Sequence, residues 1–142
     1  MIRESVPEDA PSIEQLYRML LPEQKDIMVM PERIRQIRNH PDSFLFVYEV
    51  EGTVVATVHL HLCMDALSCE RPFAVIERVV TAPEARGRGY GAALMRHAEE
   101  TAAARGALKV MLSSNRNRAD AHRFYEKLGY DGDGSRLFKR YL

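Results

Sequence analysis

The chain has 142 residues, 46% of them hydrophobic, and its 20 basic side chains balance 20 acidic ones. That length and apolar share suit one domain over residues 1–142, with too little chain for a second core; the balanced charge excludes a general basic field for nucleic acid and an acidic solvating tail. With neither a charged-then-apolar leader nor an apolar run long enough to cross a bilayer, the expectation is a soluble, cytoplasmic protein with no membrane partner.

In chain order, Met1 to Glu4 reads as a short strand, and Asp9 as the N-cap of a helix striped by Ile13, Leu16, Tyr17 and Leu20 and broken by Pro22. Pro31 to Asn39 reads as a shorter helix with Pro at its start. Phe44 to Val50 and Thr53 to Leu62 are rich in β-branched and aromatic residues and flank Glu51-Gly52, the pattern of a hairpin. Phe73 to Val80 is a further strand. After the glycine loop, Gly91, Leu94, Met95, Ala98 and Ala102 stripe a helix that ends at Gly106. Lys109 to Leu112 is a strand, Ala121, Phe124, Tyr125 and Leu128 stripe a last helix stopping at Gly129, and Leu137 to Tyr141 reads as a closing strand. The order gives an α/β domain. Cys63 and Cys69 have no zinc or redox spacing and read as free thiols.

The stretch EARGRGYGA, Glu84 to Ala92, sits between a strand and a helix. Alternating glycines let several backbone N–H groups point at one spot, and the helix adds the positive end of its dipole there, so the loop suits a phosphate. A nucleotide-hydrolysing P-loop needs Gly-Lys-Ser/Thr at its end, and none is present. Gly87, Gly89 and Ala92 satisfy the dinucleotide fingerprint G-x-G-x-x-A, with Asn115-Arg116 placed to face a 2′-phosphate. Against that reading, Thr81-Ala82-Pro83-Glu84-Ala85 separate strand from glycine, and little chain follows for the remaining strands.

The stretch from Val75 to Ala93 resembles the acetyl-CoA motif of the GNAT superfamily of acyl-CoA N-acyltransferases, Q/R-x-x-G-x-G/A, matched by Arg86, Gly89 and Gly91. AHRFYEKLGY, Ala121 to Tyr130, resembles the family's second hallmark, an aromatic-Tyr pair before a glycine and another aromatic. The agreement in order and spacing runs from about residue 73 to 131. The resemblance implies a mixed, mostly antiparallel sheet flanked by helices, with two splayed central parallel strands admitting the pantetheine of acetyl-CoA. It also implies that backbone groups of Val79, Val80 and Thr81 pair with that arm. The N–H groups of Gly87, Arg88, Gly89, Tyr90, Gly91 and Ala92 would cradle the pyrophosphate, with Arg86 and Arg88 as supporting charges. Many members have an asparagine where this chain has Arg118, and Asn115 and Asn117 lie close enough in sequence to substitute.

An amine with a pKa near ~10 is protonated at neutral pH, and exposing its lone pair costs roughly 4 kcal/mol. A base is needed. Glu77, on the strand leading to the loop, matches a family glutamate that removes this proton; the structural alternative is a carboxylate paired with Arg71 or Arg78, although strict alternation points Arg78 to the other face. Tyr125 matches the family tyrosine that protonates the departing sulfur, and its alternative is a buried tyrosine bonded to a carbonyl. Neither hallmark contains a cysteine, which favours direct attack without an acyl-enzyme. His59 and His61 alternate onto one face, but further metal ligands are not evident and no metal is expected. The functional expectation is acetyl-CoA-dependent acetylation of a primary amine, foremost of a small molecule. Acetylation of a protein lysine or N-terminus is an alternative, as is a noncatalytic acyl-CoA sensor. A homodimer is common among proteins resembling this one.

Overall fold

The computed structural model describes residues 1–142. Its strands are β1 (Ile2–Glu4), β2 (Ser43–Val50), β3 (Thr53–Cys63), β4 (Phe73–Thr81) and β5 (Val110–Leu112); its helices are α1 (Ala10–Leu20), α2 (Pro31–Arg38), α3 (Tyr90–Ala104) and α4 (Ala119–Lys127). Single 3-10 turns lie at Pro7–Asp9 and Pro83–Ala85. Two compact units form, Met1–Met111 and Leu112–Leu142.

The strands make one open sheet in the order β1-β2-β3-β4-β5. β1-β2, β2-β3 and β3-β4 pair antiparallel. β5 runs parallel to β4, the pairing opening with Leu108 N–H on Pro72 O at 2.8 Å and Ala74 N–H on Lys109 O at 2.9 Å. The hairpin between β2 and β3 turns at Glu51 and Gly52, both with positive φ (49° and 79°), the twist-matching turn for two-residue loops.

Alternation along β2 assigns the two faces. Leu45 and Val47 pack with Ala10 and Ile13 of α1 and Ile34 of α2. Phe46 instead meets His97 of α3 edge-on at 4.6 Å, and Tyr48 stacks on Tyr90 of α3 at 4.4 Å. Helices therefore cover both faces, and the consecutive residues Ala56, Thr57 and Val58 of β3 are all fully buried. Ile13, 0% exposed, and Leu16, 3%, are one helical turn apart and anchor α1; truncating such a side chain to Ala costs about 2–5 kcal/mol.

Two expectations are corrected and one is refined. Asp9 holds the N-cap position of α1, but its side chain makes no bond into that helix: it closes the preceding 3-10 turn by accepting Val6 N–H at 2.8 Å and takes Arg3 through both oxygens at 2.8 and 3.0 Å. Arg3 also reaches Glu49 of β2, so its guanidinium ties β1, the turn and β2 together. Burial pushes the Asp9 carboxyl up, but the Arg3 and Val6 bonds outweigh it and hold the carboxyl below the usual range. Residues 137–141 form no strand, and Leu137, Phe138 and Tyr141 are exposed. Leu-Phe-Lys-Arg-Tyr pairs apolar with apolar and basic with basic, so neither face of a strand would be cleanly apolar. Without it, β5 lies at the sheet edge and the parallel pair is terminal, where a central one was expected.

Candidate active site

β4 is not a regular strand. Thr57 of β3 lies opposite Val80, but His59 lies opposite Glu77, so Val58 faces two residues, Arg78 and Val79. This is a β-bulge, and Arg78 absorbs it in the left-handed region at φ 56°. An arginine there lacks the freedom of glycine, which makes the position strained. The register puts Glu77 and Val80 on the face of Thr57 and His59, although they are three residues apart. Glu77 thus shares the α1–α2 side of the sheet with the histidines. The bulge also corrects the expectation that Arg78 points away, since Arg78 Nη1 lies 3.6 Å from Glu77 Oε2. Both side chains are close to half exposed, so this pair contributes little to stability.

On the same face, His59 Nε2 and Ser43 Oγ share a hydrogen bond of 2.8 Å, and the rings of His59 and His61 are 3.9 Å apart. Burial depresses the His59 pKa to about 3, helped by the neighbouring His61 and Arg78. Burial also lowers that of His61, against the attraction of Glu77 and with the repulsion of His40. Both imidazoles are neutral at pH 7, so each ring offers one N–H donor and one acceptor nitrogen. No group of three or more His, Cys, Asp or Glu is arranged to hold a metal ion.

β4 ends in the glycine loop. Arg86 Nε donates to Thr81 O at 3.2 Å, folding the loop back on the strand end. Gly87 and Gly89 both have positive φ (75° and 82°), and an added Cβ at either would meet no atom within 4 Å. The backbone curls there with an open side, a conformation that side-chain-bearing residues resist. The helical ladder of α3 begins with Ala93 N–H on Gly89 O at 3.0 Å. The donors of Gly91 and Ala92 therefore precede the ladder, as the first N–H groups of a helix do. Tyr90 turns its ring onto Tyr48. Arg88 is exposed. Convergent N–H groups at the positive end of a fifteen-residue helix can hold a phosphate-type anion.

In the unit of residues 112–142, Tyr125 on α4 is 7% exposed, with Phe124 and Tyr130 rings 5.2 and 6.2 Å from its own. Burial raises its pKa, with Arg118 acting in the opposite direction. The hydroxyl stays protonated at neutral pH and can donate. Asn115 is committed to the turn before α4: its Oδ1 accepts Asn117 N–H at 2.9 Å, and its carbonyl accepts Arg118 N–H at 3.0 Å and contacts His122 Nε2 at 2.8 Å. Ser114 Oγ, just after β5, is buried without a hydrogen-bond partner. Sequence reasoning had passed over it, since a lone serine after a strand carries no signal.

An open cleft of about 590 Å³ lies beside α2, with Arg33, Gln36, His40, Asp42, Ser43 and His61 on its walls. It lies on the same side of the sheet as Glu77.

The Acetyltransferase (GNAT) family pattern matches residues 10–130. The aminoalkylphosphonate N-acetyltransferase of Salmonella typhimurium is 30% identical over 138 residues, covering 97% of this chain and 89% of that protein. A candidate acetyltransferase from Agrobacterium tumefaciens superimposes with a TM-score of 0.89 at 33% identity, over 99% of both chains. A Bacillus halodurans structure described as a transcriptional regulator superimposes with a TM-score of 0.87 at 25% identity, again over 99% of both. The chain belongs to the acetyltransferase (GNAT) family.

Proposed function

We propose that this GNAT-family acetyltransferase takes its acetyl group from acetyl-CoA and transfers it directly to the primary amine of a small molecule. The observation that carries the reading is the loop with left-handed Gly87 and Gly89, which opens α3 immediately after the bulged strand β4. Its curled backbone, open side and unladdered N–H groups fit a pyrophosphate. Acetyl-CoA, when bound, supplies an activated thioester.

The chain's own groups then have distinct tasks. The N–H groups from Gly87 to Ala92 bind the pyrophosphate, with Arg86 and Arg88 as added charge. Backbone groups of Val79, Val80 and Thr81 pair with the pantetheine. Glu77 accepts the amine proton as nitrogen bonds to the acetyl carbon, and a backbone N–H released by the bulge near Val79 stabilises the charge growing on the carbonyl oxygen. The carbon–sulfur bond breaks and Tyr125, assigned here on its place in the family motif, gives its proton to the sulfur. Asn115 shapes the turn before α4.

Two points favour a small acceptor. The Salmonella typhimurium relative is named for a small amine, and the balanced charge provides no extended docking field for a protein substrate. Cys63 and Cys69 are both free, which suits a reducing, cytoplasmic setting, and no helix is long and apolar enough to cross a membrane. The test is thiol release from acetyl-CoA across a panel of small amines and lysine-bearing peptides. Amine-dependent release restricted to small acceptors is expected; release with peptides alone would replace the acceptor class. Tight acyl-CoA binding with no release to any amine would favour a sensor, which the regulator-named structural relative keeps in view.

A further inference from the structure

The cleft beside α2 presents hydrogen-bond donors from several segments, and its one carboxylate is neutralised from outside. Arg33 spends its Nε on Gln36 Oε1 at 2.8 Å and pairs with no carboxylate, whereas Arg35 of the same helix is paired with Glu32 and Arg38 donates to Ser5 O at 3.1 Å. Its two terminal amino groups remain for a ligand. The Arg33 bond holds the Gln36 amide by its oxygen, leaving the amide nitrogen as a donor. His40 Nδ1 accepts Asp42 N–H at 3.1 Å, which places the ring proton on Nε2 and makes that atom a donor. Asp42 itself is held by Arg105, Nη2 to Oδ1 at 2.9 Å, with Arg105 Nη1 on Pro41 O at 2.9 Å. The carboxylate's charge is thus met by a guanidinium that does not line the cleft.

From these donors we infer that the cleft is an anion subsite of the acceptor pocket, in which Arg33, Gln36 and His40 hold a compact oxyanion carried by the amine substrate. A planar guanidinium with free amino groups is the side chain best shaped for phosphonate, phosphate or carboxylate oxygens. The place of the cleft on the sheet sets the substrate's length. His61, on the cleft wall, lies opposite Val75, and Glu77 lies opposite His59, two residues further along the same face. Two residues of strand span ~7 Å. A substrate anchored by its oxyanion and reaching Glu77 with its nitrogen therefore has a short chain between the two, as in an aminoalkyl acid of two or three carbons. This substrate class rests on the proposed transfer to an amine; the oxyanion site itself does not require turnover.

Two measurements separate the subsite from the activity. Titration of the full chain with inorganic phosphate and with methylphosphonate, followed by the imidazole NMR signals of His40 and His61, should show saturable shifts that Arg33→Glu abolishes. Absence of shifts in the wild type, or equal shifts in Arg33→Glu, would overturn the inference even if the chain acetylates amines. In turnover, Arg33→Glu should raise KM for 2-aminoethylphosphonate about 10- to 100-fold, the loss expected for charge-assisted bonds, with kcat within about 3-fold. KM for ethylamine, which has no oxyanion, should not rise. Wild-type preference for ethylamine would contradict the inference. Phosphate binding in a chain that acetylates nothing would preserve the subsite and strike the transfer reading.

Discussion

Glu77 and Arg78 are neighbours on β4 whose side chains meet, Arg78 Nη1 lying 3.6 Å from Glu77 Oε2. A regular strand would send them to opposite faces. The bulge brings them together at the cost of a left-handed arginine at φ 56°, a conformation that costs an L-residue roughly 1–2 kcal/mol. Arg78→Gly should therefore leave stability equal or raised. Arg78→Val, whose branched side chain resists positive φ, should lower it by about 1–2 kcal/mol. Denaturant midpoints for the two variants check this; a valine tolerated as well as glycine would mean that the bulge carries no strain.

His59 gives a pH signature. Its pKa falls from 6.5 in the ordinary state to about 3 in the fold, so on acidification the unfolded chain takes up the proton first. The neutral, buried imidazole then loses stability to the unfolded state at up to ~1.4 kcal/mol per pH unit. The loss begins as pH falls through 6.5 and ends near 3. Between pH 6.5 and 5 the wild type should lose about 2 kcal/mol more than His59→Gln. Urea denaturation across this range reads the difference, and parallel curves would show that His59 is protonated in the folded protein.

Helix boundaries and stripes were legible because local chemistry decides them. Pro22 and Gly106 bracket α1 and α3 as expected, and Ile13, Leu16, Leu94, Met95 and Ala98 are buried where the stripes placed them. The bulge was illegible for a specific reason: Ile76 and Val80 alternate as in an unbroken strand, and both residues after Arg78 are valines. An extra residue leaves no mark in so uniform a run. The cleft was invisible because Arg33, His40 and His61 come from a helix, a connection and a strand that only the sheet register brings together. The two hallmark motifs were legible because each packs its pattern into a few consecutive residues. Asp9 marked the start of α1, but an acidic residue before a helix looks the same whether its side chain bonds into that helix or closes the turn ahead of it.

Gly89→Asp tests the loop. Aspartate tolerates the left-handed region better than most residues, and the Gly89 Cβ position is open, so the fold should survive. Its carboxylate would face the pyrophosphate, and affinity for coenzyme A should fall about 100-fold or more. Circular dichroism and calorimetry together decide the case. A folded variant with wild-type affinity would remove the loop from cofactor binding.

Tyr125 and Glu77 separate by kinetics. Tyr125→Phe removes only the hydroxyl from a buried ring; turnover should drop about 10²-fold or more while coenzyme A affinity stays nearly unchanged. Glu77→Gln should lower turnover at neutral pH and recover part of it at high pH, where the amine is already deprotonated. Unchanged turnover in either variant would take that residue out of the proton transfers.

The most direct test of the central claim is calorimetric titration of the wild-type chain with acetyl-CoA, coenzyme A and NADPH. Saturable one-to-one binding of the first two, without binding of NADPH, is the predicted result. Binding of NADPH alone would make the glycine loop a dinucleotide site and contradict the acetyl-transfer account.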